Sequence, residues 1–144
     1  MKFVTRERIH VDRISTAWAI RRFVDPEAAF EFVSRGKDVR TLDGTPFDMR
    51  GAELSHRHGR CTLEALIEKY ELDDNTLKRM ARIIRAADLP QEEGAPVVAA
   101  GVLAIFDGIR DGSKTDEERL EKGFVVCEAL YAFCRQASEE ATEQ

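Results

Sequence analysis

Two short stretches hold every histidine of this sequence. In the first, His10-Val11-Asp12-Arg13, a histidine and an aspartate stand two residues apart. An extended backbone would project both to the same side. The second stretch is Glu53-Leu54-Ser55-His56-Arg57-His58-Gly59-Arg60-Cys61. Glu53 and His56 are spaced i, i+3, and one helical turn would bring both side chains to a single metal ion. His56, His58 and Cys61 also spell an HxHxxC zinc pattern, without a second cluster at zinc-finger spacing. Asp88 is a third candidate. An apolar stripe of Leu77, Met80 or Ala81, and Ile84 arrives at Ala87 or Asp88 at helical spacing. A carboxylate on such a stripe needs a partner, a metal or an arginine. Each position also has a plainer reading: Asp12 as a helix cap, His10 as an exposed side chain, Asp88 as the water-facing end of a helix.

Arginines accompany all three places. Arg13, Arg21 and Arg22 follow the first histidine, Arg57 and Arg60 flank the others, and Arg82 and Arg85 precede Asp88. The guanidinium is a planar fork of donors suited to carboxylates, phosphates and other oxyanions. The alternative is an ordinary solvated charged face. Mixed imidazole and carboxylate ligands suit Mn, Fe or Zn better than Cu(I) or an iron–sulfur cluster. The sequence carries no glycine-rich phosphate loop, no GxSxG elbow and no nucleophilic triad. Cys61 stands near His58, but no third orienting group is identifiable.

The elements that must position these residues come from 144 residues, a length that suits one domain. Hydrophobic residues make up 43%, enough for a packed core. The net charge is 22 − 27 = −5, which opposes polyanion binding over the whole surface. The longest apolar run, Pro96 to Phe106, is 11 residues, too short for a membrane span. The first residues, Met1-Lys2-Phe3-Val4-Thr5-Arg6-Glu7-Arg8, lack the apolar segment of a secretory signal. Cys127 and Cys134 lie two turns apart on one predicted helix, too far to bridge. A reduced, cytoplasmic protein is the expectation.

Alternation over Lys2 to Ile9 predicts a strand with Phe3, Thr5, Glu7 and Ile9 on one face. Asp12 is the predicted cap of a helix reaching about Val24, ended by Asp25-Pro26. Trp18, with Ile14 one turn back, is expected to pack that helix on the sheet. Ala28 to Ser34 predicts a second strand, and Gly36 to Arg60 a long irregular segment of the kind that often carries function. Helices are predicted from Thr62 to near Leu72 and from Asp73 or Asp74 to about Ala87, with Pro90 as the stop. Pro96 to Ile109 reads as a buried central helix. The last helix starts at Asp116, with Leu120, Phe124, Cys127, Leu130 or Tyr131, and Cys134 inward and a frayed tail after Gln136. The fold class that follows is α+β, mostly helical, with a small N-terminal sheet packed against about five helices.

The stretches Val4-Thr5-Arg6-Glu7-Arg8-Ile9-His10-Val11-Asp12-Arg13-Ile14 and Trp18-Ala19-Ile20-Arg21-Arg22-Phe23-Val24-Asp25-Pro26 resemble the chromate-resistance protein family. The similarity is to the C-terminal domain of ChrB-type regulators. Pro46-Phe47-Asp48, Gly51-Ala52-Glu53-Leu54-Ser55-His56-Arg57, Gly59-Arg60-Cys61-Thr62 and Ala81-Arg82-Ile83-Ile84-Arg85-Ala86-Ala87-Asp88 fit the same pattern, so the resemblance spans nearly the whole chain. It implies that residues 1–144 form a single domain that senses or handles chromate or another oxyanion. Some members carry an N-terminal winged-helix-like part; this sequence opens at the strand before His10, so neither that part nor direct nucleic-acid binding is expected. His58 departs from the family pattern, where a small residue is usual, which favours His56 as the ligand.

Spacing and resemblance together give a divalent transition metal (Mn, Fe or Zn) on His10, Asp12, Glu53, His56 and Asp88, with Asp12 as ligand or orienter. Arg13, Arg21, Arg22 and Arg57 would hold a small oxyanion beside it. The rival expectation is a metal-dependent hydrolase or reductase, with Glu53 or Asp12 as general base. No flavin or nicotinamide fingerprint supports the reductase. A metal-free accessory module docking through a helical face is the third, and a homo-oligomer is compatible with each.

Overall fold

Phe3, Val4 and Thr5 are all buried, so the first strand is shielded on both faces and forms the centre of the sheet. In the computed structural model, which describes residues 1–89 and 94–143 with side chains to residue 137, β1 (Lys2–Arg6) lies between β2 (Ala29–Val33) and β3 (Thr45–Pro46). The sheet order is β2-β1-β3, and both pairings are parallel. Parallel neighbours need a crossover. Here it is α1 (Val11–Ala19), whose last turn widens into a π-helical segment at Ile20–Val24 before Asp25. The remaining helices are α2 (Thr62–Lys69), α3 (Asn75–Asp88), α4 (Val98–Gly112) and α5 (Asp116–Glu143). This is the expected mostly helical α+β arrangement.

Several boundaries move for identifiable reasons. β1 stops at Arg6 rather than Ile9, because Arg8 turns into the left-handed region (φ 59°). The freed N–H groups of Arg8 and Ile9 donate to the two oxygens of Asp116, both at 2.9 Å. Asp116 therefore pins the strand-to-helix junction to the start of α5, while Arg119 grips the same carboxylate at 2.9 Å. The irregular segment contains β3 and a short 3-10 turn, Val39–Thr41, which its aperiodic sequence did not announce. The helix from Thr62 ends at Lys69, three residues before Leu72. Asp74 does cap α3, accepting from Leu77 N at 2.8 Å. Pro90, its predicted stop, lies outside the described residues. The backbone after Gln136 continues as helix to Glu143, where a frayed tail was expected; its side chains from residue 138 lie outside the described ones.

Two packing expectations change. Trp18 faces α5, not the sheet: its ring lies 5.6 Å from Tyr131 and its Nε1 donates to Glu128 at 3.1 Å. The two helices approach so closely that a Cβ on Gly123 would sit 2.3 Å from Ile14 Cγ2. The helix α4 was expected to be buried nearly all round. Only Ala99, Val102 and Phe106 are buried, whereas Val97 is 95% and Ile105 51% exposed. This helix flanks α3 and α5 from outside, so one apolar stripe meets the core and the rest meets solvent. No helix among the described residues is long and apolar enough to cross a membrane.

Candidate metal and anion site

The irregular segment is held in place by its own apolar residues. Phe47, Met49, Ala52 and Leu54 are buried, Phe47 N donates to Val4 O at 2.9 Å, and Asp48 N donates to Leu54 O at 2.7 Å. Between these anchors Asp48 adopts a left-handed backbone (φ 48°), which an aspartate tolerates better than most side chains. The result places Asp48 and His56 at the amino-terminal end of α1, beside Asp12.

Asp12 is almost fully buried. It does not cap its own helix, whose N-cap is His10. Its carboxylate reaches across to α2, accepting from Thr62 N at 2.9 Å and Leu63 N at 3.2 Å. It thus satisfies two orphan donors at a helix start and places negative charge where the helix dipole favours it. Asp88, the last residue of α3, stands at the unfavourable end of its helix, and its partner is His56.

Three carboxylates converge on this one imidazole. His56 Nε2 lies 2.5 Å from Asp88 Oδ2 and 3.3 Å from Asp12 Oδ2, and Nδ1 lies 3.1 Å from Asp48 Oδ1. Ligand atoms of Asp12, Asp48 and His56 all fall within 4.8 Å of one another, the scale of a shared cation site. The charges respond to that crowding. Burial, with the charges of Asp48 and Asp88, pushes the Asp12 carboxyl up to about 7. Burial also acts to raise Asp48, but the hydrogen bond from His56 and the charge of Arg13 prevail and leave it below the usual carboxylate range. Hydrogen bonds to Asp48 and Asp88 raise His56 to about 10. The side chain of His56 is 39% exposed, so the cluster opens to solvent.

Beside it lies a cleft of about 430 Å³ lined by Arg6, Glu7, Arg8, Arg13, Arg35 and Arg110. It sits beyond the carboxyl end of β1, where parallel sheets commonly receive ligands. Arg6 Nε is buried there without a hydrogen-bond partner. Arg13 belongs to both places: its Nη2 donates to Asp48 O at 3.0 Å and its Nε lies 3.4 Å from Asp48 Oδ2.

The family profile described as "ChrB, C-terminal domain" matches residues 3–134. The chain belongs to this family. "Protein ChrB" of Cupriavidus metallidurans CH34 is 35% identical over 134 residues, 90% of this chain and 40% of that protein. The chain therefore spans about 40% of the length of this curated relative. No solved structure matches it. The resemblance read from the sequence is borne out at the level of the ChrB C-terminal domain.

Within this ChrB-type domain the expected ligands divide. Asp12, His56 and Asp88 come together. His10 does not join them: its Nε2 lies 2.7 Å from Asp107 Oδ1 on α4. Glu53 points elsewhere, 3.5 Å from Lys69 Nζ. Of the expected anion-binding arginines, only Arg13 reaches the cleft. Arg21 donates to Ala28 O at 3.0 Å and stacks on Phe30, and Arg22 donates to Glu128 at 3.0 Å. Arg57 lines a separate cleft with Glu53, His58 and Arg60. Cys61 is buried with its thiol raised by burial, and as the N-cap of α2 its backbone N–H donates to Glu64 Oε1 at 3.1 Å. Sequence reasoning missed Asp48, and with it Arg6, Arg8, Arg35 and Arg110. A signal existed for two of them: Arg6 and Arg8 end the first strand, immediately before the histidine.

Proposed function

We propose that this ChrB-type domain binds a divalent transition metal (Mn, Fe or Zn) on Asp12, Asp48, His56 and Asp88, and a small oxyanion in the adjoining arginine cleft, in the service of sensing or handling chromate or a similar anion in the cytoplasm. The observation that carries the reading is the convergence of three aspartates on His56 at 2.5–3.3 Å in a site open to solvent. Three carboxylates exceed what one imidazole neutralises, and a hard or borderline cation suits oxygen ligands with one imidazole. The cleft supports the second half: five arginines line it with one carboxylate, Glu7, and while Arg110 pairs with Asp107 and Asp111 and Arg8 with Asp111, one buried Arg6 N–H has no partner. A tetrahedral dianion supplies acceptors for several such forks at once.

The test is the metal content of protein purified without chelator or affinity tag, followed by thermal melts with added sulfate. Close to one equivalent of Mn, Fe or Zn is expected in wild type, lost in Asp48→Asn and Asp88→Asn. Sulfate should raise the melting temperature of wild type and not of an Arg6→Gln, Arg35→Gln double variant. A folded protein that neither carries nor takes up metal would refute the cation site. Equal sulfate response in the double variant would refute the cleft.

A further inference from the structure

We infer that the arginine cleft and the carboxylate cluster are linked through Arg13, so that a divalent cation on Asp48 strengthens the binding of a tetrahedral dianion in the cleft. The inference rests on the two-site reading above and adds the coupling between the sites.

Arg13 is the residue they share. It lines the cleft with Arg6, Arg8, Arg35 and Arg110. Its Nε and Nη2 also donate to the Asp48 carbonyl at 3.3 and 3.0 Å, and its Nε lies 3.4 Å from Asp48 Oδ2. The other carboxylate oxygen of Asp48 holds His56 Nδ1 at 3.1 Å. One side chain thus carries the contact between the loop that presents His56 and the wall of the cleft.

The direction of the coupling follows from charge. Without a cation, Asp12, Asp48 and Asp88 face His56, and Arg13 is the further counter-charge of Asp48. Its Nε and Nη2 are engaged by Asp48 while it lines the cleft. A cation coordinated by Asp48 takes over that task. The guanidinium, with five N–H donors in all, can then turn its remaining donors to an anion. The field of the cation acts in the same direction. The Arg13 and Asp48 side chains are only 23% and 11% exposed, so solvent screens the effect incompletely. Linkage is reciprocal: the anion must raise cation affinity by the same factor.

Calorimetric titration of sodium sulfate into the protein, with and without saturating MnCl2, tests this. Sulfate Kd should fall by about fivefold or more when Mn²⁺ is bound, within the usual range of coupling between sites. Mn²⁺ Kd should fall by the same factor in saturating sulfate. Asp48→Asn probes the link with no metal at all. It removes the charge that holds Arg13, so the metal-free variant should bind sulfate more tightly than metal-free wild type. Arg35→Gln should weaken sulfate equally in both states and leave the ratio unchanged. A melting curve on each variant establishes that it is folded. Wild type that binds both ions with sulfate affinities within about twofold would overturn the linkage alone. No sulfate binding in either state would overturn it together with the oxyanion reading, and no Mn²⁺ binding together with the cation reading.

Discussion

His56 Nε2 and Asp88 Oδ2 stand 2.5 Å apart, joining a loop to the end of a helix 32 residues further along the chain. Asp88→Asn breaks the charged half of that contact. In metal-free protein the expected loss is small, about 0.5–1 kcal/mol, because His56 is partly exposed. In metal affinity the loss should be at least about tenfold, since a direct ligand is expected to matter no less than the outer-shell groups that orient one. Urea melts and Mn²⁺ titration of the same variant separate the two. A large stability loss with unchanged affinity would make the pair purely structural.

Asp12 serves two ends, and substitutions separate them. Asp12→Ala leaves Thr62 N and Leu63 N buried without acceptors, at a cost of about 1–3 kcal/mol. Asp12→Asn keeps an acceptor and removes a charge that burial disfavours, so metal-free stability near pH 8 should be close to wild type. Metal binding should be weakened in both. Chemical denaturation at pH 8 checks the ordering.

The candidate site was half legible in the sequence. Asp88 could be found because a carboxylate continuing the stripe Leu77, Met80, Ile84 has to be answered by a partner. His56 and Asp12 could be found by their types. Asp48 stands in a stretch that fits the family pattern, Pro46-Phe47-Asp48, but no period in the segment marks it as a ligand; its place is set by the burial of Phe47, Met49 and Leu54. His10 stands apart from the cluster for a tertiary reason, since its partner Asp107 is 97 residues away on α4. The helix α4 itself shows the same limit. Its apolar composition gave helix correctly but not the side from which it packs, and Val97 and Ile105 face solvent.

Metal-free stability should fall as pH rises. Asp12 has its pKa raised from 3.8 to about 7, so its contribution is complete below pH 4 and lost as pH rises through 7. His56 is raised from 6.5 to about 10; its contribution is complete below pH 6.5 and lost as pH rises through 10. Asp48, held low, works oppositely and loses its contribution only in acid. Urea midpoints should therefore decline between pH 5 and 10. Because ligands must shed protons, metal binding at pH 7 should release roughly one to two per ion, which calorimetry in buffers of different ionisation enthalpy measures. A midpoint that rises from pH 6 to 9 would contradict the charge arrangement.

Gly123 marks the closest approach of α1 and α5. Gly123→Ala adds a methyl group 2.3 Å from Ile14 Cγ2, and overpacking should cost about 1–3 kcal/mol, more than the helix propensity gained. Combining it with Ile14→Ala should cost less than the sum of the two single changes. Additive losses would mean that the helices have room to separate.

The central question is where a cation binds. Crystals grown with MnCl2, with anomalous scattering recorded at the manganese edge, locate it directly. One strong peak is expected about 2.0–2.4 Å from oxygens of Asp12, Asp48 and Asp88 and from a nitrogen of His56. No peak in that cluster, or one centred instead on His10 and Asp107, would contradict it.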